Sequence, residues 1–277
     1  MSKNPCWRRF VWALPALLAL LWPITASAQS IWENVKSSGK LRICVVTAGA
    51  PYSERDASGR WQGLMLDMGQ DLAKQLKVEA VEQETTWGTA VLDIQSNKCD
   101  LMFGINPTPN RWEAVDFAGP LWRFSYTLVV RKDLDAGDTW DDFNKPSITL
   151  SVIQGTADEE AGRRYAPKAK ILTFASLSEA VLAVQSHRAD ALVSTALSAL
   201  LAHQRNPGLG NFVQVKPEYG LPAYAIMRKD GDGRFREFVN HWAEYNRDLG
   251  NIEVWIKDAL ARIGIEKDQI PRSIHFY

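Results

Sequence analysis

Short apolar segments alternate with helical segments along most of the chain, and this alternation limits the possible folds more than any other feature. The β-branched run at residues 41–46 predicts a buried strand, and residues 67–76 have the apolar spacing of a helix. A second strand and helix are predicted at 78–81 and 89–96, followed by a strand at 100–104. Such alternation is typical of α/β proteins with mainly parallel sheets. We therefore predict an α/β fold.

The sequence also repeats part of itself. Residues 92–101, LDIQSNKCDL, are echoed by residues 182–191, LAVQSHRADA, 90 positions later. Each copy ends a helix, passes through a basic turn and opens an apolar strand with Asp. The second copy lies within a second strand–helix–strand set at residues 148–153, 158–165 and 171–174. We therefore predict two lobes of similar construction.

Two extended segments are candidates for the connections between these lobes. Residues 126–132 leave the first lobe and residues 223–229 leave the second, and both end in Arg-Lys before Asp. Two amphipathic helices follow, and we expect them to return and cover lobe 1. Their apolar residues are Phe235, Phe238, Val239 and Trp242 in the first, and Ile252, Trp255, Ile256, Leu260 and Ile263 in the second.

The N-terminal residues have the pattern of a secretory signal peptide. A basic start with Lys3, Arg8 and Arg9 precedes an apolar stretch at residues 10–24, and small residues then lead to a predicted cleavage after Ala28. The alternative is a membrane anchor, but an apolar run of about 15 residues is short for a spanning helix, which needs about 20. We therefore predict export to the periplasm.

The predicted chain organisation has four parts. Residues 1–28 form the signal peptide, 29–130 the first part of lobe 1, 131–225 lobe 2, and 226–277 the return to lobe 1 with the C-terminal helices. Cleavage removes three of the 32 basic residues and none of the 32 acidic ones, which leaves a net charge of −3. A near-neutral surface argues against a nucleic acid partner, and no later apolar run is long enough to span a bilayer. We expect a soluble monomer.

Two cysteines remain in the exported chain, Cys44 and Cys99. An exported protein can oxidise such a pair, but both residues lie in or beside predicted strands, where buried thiols are common. Sequence does not fix the distance between them, which decides whether a disulfide can form. We predict free buried thiols.

The segment NPTPNR at residues 106–111 begins a helix in an unusual way. Thr108 is a good N-cap, and Pro109 is a good first helical residue. A capping box would have Glu or Gln at the third position after the cap, but Arg111 stands there. A cation at this end of a helix is unfavourable because the helix dipole is positive there. The pattern therefore raises the question of which anion this arginine meets.

Eight short motifs occur in order along the chain, at residues 39–43, 51–52, 63–67, 100–104, 108–111, 115–120, 154–156 and 190–193. This order resembles the amino-acid-binding family 3 of extracytoplasmic solute-binding proteins of ABC importers. The order and spacing of the shared motifs are more specific than any one of them. The resemblance implies a type II periplasmic-binding-protein fold, in which two α/β lobes joined by two crossover strands close on a ligand like a hinge. It also implies an inner-membrane ABC permease as partner.

In the proteins that this chain resembles, the arginine at the position of Arg111 binds the α-carboxylate of the ligand. A guanidinium fits both carboxylate oxygens, and a helix N-terminus adds backbone donors for an anion. The alternative is a surface arginine paired with Glu113 or Asp116. We expect ligand binding, with the guanidinium unpartnered by the protein in an open cleft.

Four further residues are implied by the resemblance. Gly104 and Asn106 correspond to contacts with the polar head of the ligand. Thr108 also aligns, although a plain N-cap explains it equally well. Thr156 faces them from lobe 2, and with Glu159 it fits a capping box as well. Both roles of Thr156 can coexist, because backbone amides at a helix start attract an anion.

Three aromatic residues complete the candidate pocket. Tyr52 and Trp87 fall where the family often has pocket aromatics, and Trp122 is a further candidate. An aromatic face can hold an apolar side chain or a cation. Core packing is the alternative, because aromatic residues dominate protein cores as well.

One position departs from the family pattern. Amino acid binders usually have Asp five residues after the Asp at the position of Asp190, and that carboxylate pairs with the ligand's α-ammonium. Here the residue is Thr195, whose hydroxyl carries no charge, and burying an ammonium without a counter-charge is costly. Either another acid takes over or the ligand lacks a free α-amino group. We predict a small carboxylate-bearing solute, an amino acid or a related organic acid.

Two other functions fit the same scaffold. Cyclohexadienyl dehydratases resemble the family and act on a carboxylated ring, but they have an acid shortly after the strand that matches residues 191–193, where this chain has none. Asp158, Glu159 and Glu160 have the positions of first-turn helix charges, and the four histidines are scattered. We therefore predict no catalytic residue, no cofactor and no metal. A sensing or delivery protein without a transporter is the other alternative.

Overall fold

The computed structural model describes residues 29–47 and 49–270. The predicted signal peptide at residues 1–28 lies outside the described residues. In the part of the chain that is described, no helix has both the length and the apolar character needed to cross a bilayer.

The chain folds into two α/β lobes, and the predicted alternation of strands and helices is confirmed. The elements of the first half are α1 (Ile31–Ser38), β1 (Lys40–Val46), β2 (Glu54–Arg55), β3 (Trp61–Gln62), α2 (Leu64–Leu76), β4 (Glu79–Thr85), α3 (Ala90–Gln95), β5 (Met102–Ile105), α4 (Pro109–Ala114) and β6 (Asp116–Arg131). Those of the second half are α5 (Trp140–Phe143), β7 (Thr149–Ile153), α6 (Ala157–Tyr165), β8 (Lys170–Phe174), α7 (Leu177–Gln185), β9 (Ala191–Thr195), α8 (Ala196–Arg205), β10 (Gly210–Val213), β11 (Gly220–Met227), α9 (Arg234–Asp248), α10 (Asn251–Arg262) and a 3₁₀ turn (Lys267–Gln269).

Parallel strands form the centre of each lobe, as predicted. In lobe 1, β1 pairs in parallel with β4, and Ile43 of β1 forms a parallel bridge to Leu101 just before β5. In lobe 2, β7 pairs in parallel with β8 and with β9. The carboxyl ends of parallel strands open onto one edge of a sheet, where ligands bind in α/β proteins. Each lobe therefore has a sheet edge, formed by the carboxyl ends of its parallel strands, at which a ligand can bind.

Two antiparallel strands connect the lobes. β6 has 16 residues; its first part pairs with β11, and its second part pairs with β9 and β10 of lobe 2. β11 also pairs with β5 of lobe 1. The predicted connection at residues 126–132 is therefore the second part of a longer strand. β6 and β11 are the two crossover strands that the resemblance implied.

Three hydrophobic clusters form the core of the described residues, and the largest also includes Ala196, Leu197, Leu200 and Leu201 of α8. The largest cluster combines β1, α2 and β5 with the C-terminal helices, through buried residues that include Phe235, Trp242 and Leu260. The C-terminal helices α9 and α10 thus pack against the core formed by β1, α2 and β5. In the part of β6 that pairs with β9 and β10, Leu128 and Val129 belong to different clusters on the two faces of the sheet, because side chains alternate along a strand.

The internal repeat has a structural counterpart. In lobe 1, Asp100 accepts a hydrogen bond from the backbone N–H of Arg42 at 2.8 Å and pairs with its guanidinium at 2.6 Å. In lobe 2, Asp190 accepts from the backbone N–H of Thr149 at 2.7 Å and pairs with Arg131 at 2.9 Å. In each lobe, the repeated Asp thus ties the turn before one strand to a neighbouring strand.

Cys44 and Cys99 form a disulfide bond, so the prediction of free thiols is wrong. Their Cα atoms lie 5.5 Å apart, within the range that a disulfide spans. The parallel contact between β1 and the segment before β5 brings the two residues together, with the N–H of Cys44 donating to the carbonyl of Leu101 at 2.9 Å. This pairing depends on strand register, which spacing in the sequence does not reveal.

Candidate functional site

A cavity lies between the lobes, where the parallel strands end. The last residues of β5, β7 and β9, which are Ile105, Ile153 and Thr195, all line it. Seven of the eight predicted ligand-binding residues line the same cavity; they are Tyr52, Trp87, Gly104, Asn106, Arg111, Thr156 and Thr195. The fold thus brings distant segments of both lobes to one site.

Arg111 enters this cavity from the short helix α4 of lobe 1. Its Nη1 atom donates to the carbonyl oxygen of Asn106 at 2.9 Å, and its Nη2 atom donates to the carbonyl oxygen of Gly155 in lobe 2 at 2.8 Å. The expectation of a guanidinium without protein partners is therefore wrong. A guanidinium has five N–H donors, so these two bonds leave donors for a ligand.

The partners of Arg111 are carbonyl oxygens and not carboxylates. Among the described residues, neither Glu113 nor Asp116 pairs with it; Asp116 instead lies 3.7 Å from Arg236. Burial lowers the pKa of Arg111, while the negative charges of Glu160 and Asp158 act to raise it. Arginine nevertheless stays charged in proteins. The cavity therefore contains a partly desolvated cation whose charge an anionic ligand would balance.

Gly104 and Asn106 shape the wall of lobe 1. Gly104 has a φ of +86°, and a side chain there would lie 3.3 Å from the ring of Trp122, so glycine suits both the backbone and the space. The side-chain amide of Asn106 donates to the carbonyl oxygens of Leu221 and Pro222 at 3.2 and 3.1 Å. Asn106 thus fixes the end of β5 against the crossover strand β11.

Thr108 is the one predicted site residue that does not line the cavity. It is the N-cap of α4 and precedes Pro109 as predicted, but its buried side chain makes no capping hydrogen bond. The expected capping bond of Thr108 is therefore absent. Its backbone N–H donates to the carbonyl oxygen of Asn106 at 3.2 Å, which connects it to the site only through a neighbour.

Thr156 caps helix α6 in lobe 2, as predicted. Its Oγ1 atom accepts from the N–H of Glu159 at 3.4 Å and donates to the carbonyl oxygen of Ile153 at 2.7 Å. The Glu159 carboxylate accepts from the N–H of Gly155 at 2.9 Å, one residue before the partner expected in a capping box. These bonds fix the start of α6 at the cavity wall.

Three aromatic rings pack together beside the cavity. Tyr52 lies edge-to-face with Trp87, with ring centroids 5.5 Å apart, and stacks with Trp122 at 6.2 Å. Tyr52 and Trp122 are buried, while Trp87 is partly exposed. The rings are therefore part of the packed core of lobe 1 and also line the cavity.

Hydroxyl groups meet across the cleft at Thr195. Its Oγ1 atom lies 3.4 Å from the hydroxyl oxygen of Tyr52 and 3.5 Å from Oγ of Ser198. Burial raises the pKa of Tyr52 to about 12, so its hydroxyl is neutral near pH 7. This cluster is polar but uncharged, and Thr195 itself supplies no counter-charge for an ammonium.

Asp158 is an acidic residue of the cavity that sequence reasoning missed. It was expected as an ordinary first-turn charge, but it is buried and lines the cavity from lobe 2. Oγ of Ser194 donates to its carboxylate at 3.3 Å, and the backbone N–H of Thr195 donates as well. Burial raises the pKa of Asp158 to about 7, although these donors and the charge of Arg111 act to lower it.

The spacing of small apolar residues in α6 indicates that Asp158 lies on the buried face of this helix. Its buried residues are Ala157, Asp158, Ala161 and Gly162, so Asp158 lies three and four positions from small apolar residues on one helix face. Glu160 points to solvent. An acid on the apolar face of a helix is rarely buried without a role.

Residues 41–253 match the bacterial extracellular solute-binding proteins, family 3. The chain belongs to this family. The resemblance inferred from the motifs is therefore confirmed, and the two-lobe fold is that of the type II periplasmic binding proteins.

Relatives of this chain include binding proteins and an enzyme. Cyclohexadienyl dehydratase of Pseudomonas aeruginosa is 27% identical over 258 residues, which cover 90% of this chain and 95% of that protein. The arginine-binding extracellular protein ArtP of Bacillus subtilis is 26% identical over 250 residues, 87% of this chain and 94% of that protein. The solved structure of the ancestral amino acid-binding protein AncCDT-1, a precursor of cyclohexadienyl dehydratase, has a TM-score of 0.74 and 31% identity over 82% of this chain and all of that one.

Proposed function

We propose that this protein is the periplasmic substrate-binding component of an ABC importer, and that it binds a small carboxylate-bearing solute between its lobes. The signal peptide is cleaved after Ala28, and the mature protein acts as a monomer that delivers its ligand to an inner-membrane ABC permease. Membership of family 3 and the amino acid-binding relatives support this proposal.

The observation that carries the proposal is the chemistry around Arg111. A partly buried guanidinium faces the inter-lobe cavity, and within the described residues it has no carboxylate partner. Its planar donors match a carboxylate in geometry as well as in charge. Arg111 therefore binds the carboxylate of the solute, and the backbone amides at the start of α6 add donors from lobe 2.

The remaining site residues complete this binding mode. Tyr52 and Trp87 contact the body of the solute, while Gly104, Asn106 and Thr156 hold the walls of the site in position. Thr195 offers its hydroxyl group. Thr108 acts from outside the cavity, by fixing the start of the helix that carries Arg111.

Hinge closure brings the two walls together. We assign the hinge to β6 and β11, with lobe 1 at residues 29–130 and 226–277 and lobe 2 at residues 131–225. Among the described residues, the polar contacts that cross the cleft include Arg111 with Gly155, Tyr52 with Thr195, and Arg205 with Glu54 at 3.4 Å. Solute entry requires these contacts to break, so ligand binding is coupled to opening and closing of the lobes.

The test begins with mass spectrometry of the small molecule released from protein purified without denaturation. Titration calorimetry then compares the wild-type protein with Arg111→Ala, using Arg60→Ala as a control, because Arg60 is 82% exposed at the surface. We expect a carboxylic acid among the released molecules, and loss of at least about 1.5–3 kcal/mol of its binding free energy in Arg111→Ala alone. Unchanged affinity in Arg111→Ala would contradict the proposal.

A second candidate function is dehydration of a carboxylated cyclohexadienol, in which the hydroxyl group leaves as water and the ring carboxylate leaves as CO2, so that the ring becomes aromatic. Asp158 favours it, because a carboxylic acid whose pKa is raised to about 7 can donate a proton to a leaving hydroxyl group near neutral pH. The relationship to cyclohexadienyl dehydratase also supports it. Incubation with prephenate and with arogenate tests this candidate. Turnover that Asp158→Asn abolishes would identify an enzyme; binding without turnover supports the importer component.

A further inference from the structure

Arg111 and Asp158 bring opposite charges into the same cavity from opposite lobes. Arg111 extends from α4 of lobe 1, and Asp158 lies in the first turn of α6 in lobe 2. Each charge shifts the pKa of the other, yet neither residue forms an ion pair within residues 29–47 and 49–270. The cavity therefore matches a molecule that carries one charge of each sign.

The carboxylate of Asp158 lies beside the strand end that lacks an acid of its own. Ser194 and Thr195 are the last two residues of β9, and both donate hydrogen bonds to Asp158. The acid thus comes from α6 instead of from the segment after β9. Asp158 therefore places a carboxylate beside Thr195, where the related amino acid binders usually have an acid at the Thr195 position itself.

We propose that Asp158 takes the place of the acid missing at Thr195 and recognises the cationic group of a ligand whose carboxylate binds Arg111. This inference rests on the proposed function, because Arg111 has to hold the carboxylate. It makes Asp158 the residue that decides between amino acids and amine-free acids of the same shape.

Two hydrogen bonds favour the charged form of Asp158, which is the form that binds a cation. The Ser194 hydroxyl and the Thr195 N–H stabilise the ionised form of its carboxylate, but burial makes that charge costly without a counter-ion. A ligand ammonium supplies the counter-ion. An amine-free acid leaves Asp158 without one and adds a second negative charge to the cavity. The site therefore favours the zwitterion over its amine-free analogue.

The experiment measures selectivity by titration calorimetry on dialysed protein at pH 8. The twenty L-amino acids are screened first, and the tightest binder is then compared with its deamino analogue, which has hydrogen in place of the ammonium. The variants are Asp158→Asn, Arg111→Ala and the control Glu160→Gln, which removes an exposed acid from the same helix.

We expect the wild-type protein and Glu160→Gln to bind the amino acid about 100-fold more tightly than its deamino analogue, as for a hydrogen bond to a charged group. In Asp158→Asn this ratio falls below about 5, because the amino acid loses affinity and the analogue does not. The inference is wrong if no amino acid binds, or if Asp158→Asn keeps the wild-type ratio. Arg111→Ala separates the two proposals: it weakens both ligands if Arg111 binds carboxylates, whatever the result for Asp158.

A measurement on the unaltered protein gives an independent answer. The charged or titratable groups around Asp158 are Arg111, Tyr52 and Tyr126, and burial raises the pKa of both tyrosines. Asp158 is thus the group in this set that titrates between pH 6 and 8. Amino acid affinity should fall by up to about tenfold per pH unit below pH 7, while affinity for the deamino analogue rises or stays constant. Parallel pH profiles for the two ligands would overturn the inference.

Discussion

The two lobes share a frame but differ in what they bring to the cavity. Asp100 in lobe 1 and Asp190 in lobe 2 make the same kind of bond to a strand N–H and the same kind of arginine pair. Beyond this frame, lobe 1 supplies the cation Arg111, and lobe 2 supplies the acid Asp158. The repeated residues support the strands, whereas the residues that differ give the site its two charges.

The lobes also differ in covalent bonding. Cys99 of lobe 1 is bonded to Cys44, and the matching position of the second repeat is Ala189. Lobe 1 therefore has a cross-link between β1 and the segment before β5, and lobe 2 lacks such a cross-link among the described residues. This lobe also holds Arg111 and the aromatic rings. The disulfide therefore stabilises the lobe that carries the cation and the aromatic wall of the site.

The largest expected effect is on the stability of lobe 1. Replacing Cys44 and Cys99 together by Ser should lower its free energy of unfolding by about 2–4 kcal/mol, because the bond closes a loop between residues 55 positions apart. Urea unfolding with and without dithiothreitol measures this loss. The reductant should destabilise the wild-type protein and leave the double variant unchanged. Equal stability of the wild-type protein and the double variant without reductant would show that the disulfide does not stabilise lobe 1.

The next effect tests the buried acid of lobe 2. The folded-state pKa of Asp158 is about 7, above its ordinary value of 3.8. Its contribution to stability is therefore full below pH 3.8 and is lost as the pH rises through 7. Relative to the wild-type protein, ligand-free Asp158→Asn should gain about 2–3 kcal/mol of unfolding free energy between pH 5 and pH 8.

Urea unfolding at a series of pH values checks this difference. Glu160→Gln is the matched control, since Glu160 lies on the same helix but is exposed. A pH-independent difference between Asp158→Asn and the wild-type protein would mean that Asp158 is not a buried acid in solution.

The smallest effect concerns the contact between the lobes. Gly155 has a φ of +72°, and a side chain there would lie 3.1 Å from Cα of Gly88 on the other side of the cleft. Gly155→Ala should weaken ligand binding by about tenfold, because closure then forces a contact that the backbone cannot easily relieve. Gly59→Ala has a similar φ of +82° with open space around it, so it should keep the wild-type affinity. Equal affinities for both variants would show that the lobes do not close as described.

Periodicity was sufficient to predict most of the fold. Strands β1, β7 and β8 and helices α3 and α6 lie close to the predicted segments, because buried strands and amphipathic helices have distinct apolar spacings. The full length of β6 was not predicted. Its first part, Asp116–Arg123, contains Gly119 and Pro120, which are residues that normally interrupt a strand.

The candidate site was predictable where a residue conflicted with local rules. Arg111 stood out because a cation is unfavourable at a helix start. Asp158 did not, because an acid is favourable there, and only the orientation of α6 turns it into the cavity. Cys44 and Cys99 likewise required the register between strands. Local sequence reasoning thus finds residues that break a local preference, but it misses those whose role depends on tertiary packing.

The most direct test of the account is a crystal structure of the protein with its co-purified ligand bound. We expect a carboxylate of the ligand to accept two hydrogen bonds from the Arg111 guanidinium at about 2.7–2.9 Å. A ligand without an acid group, or a carboxylate bound elsewhere while Arg111 remains bonded only to Asn106 and Gly155, would contradict the account.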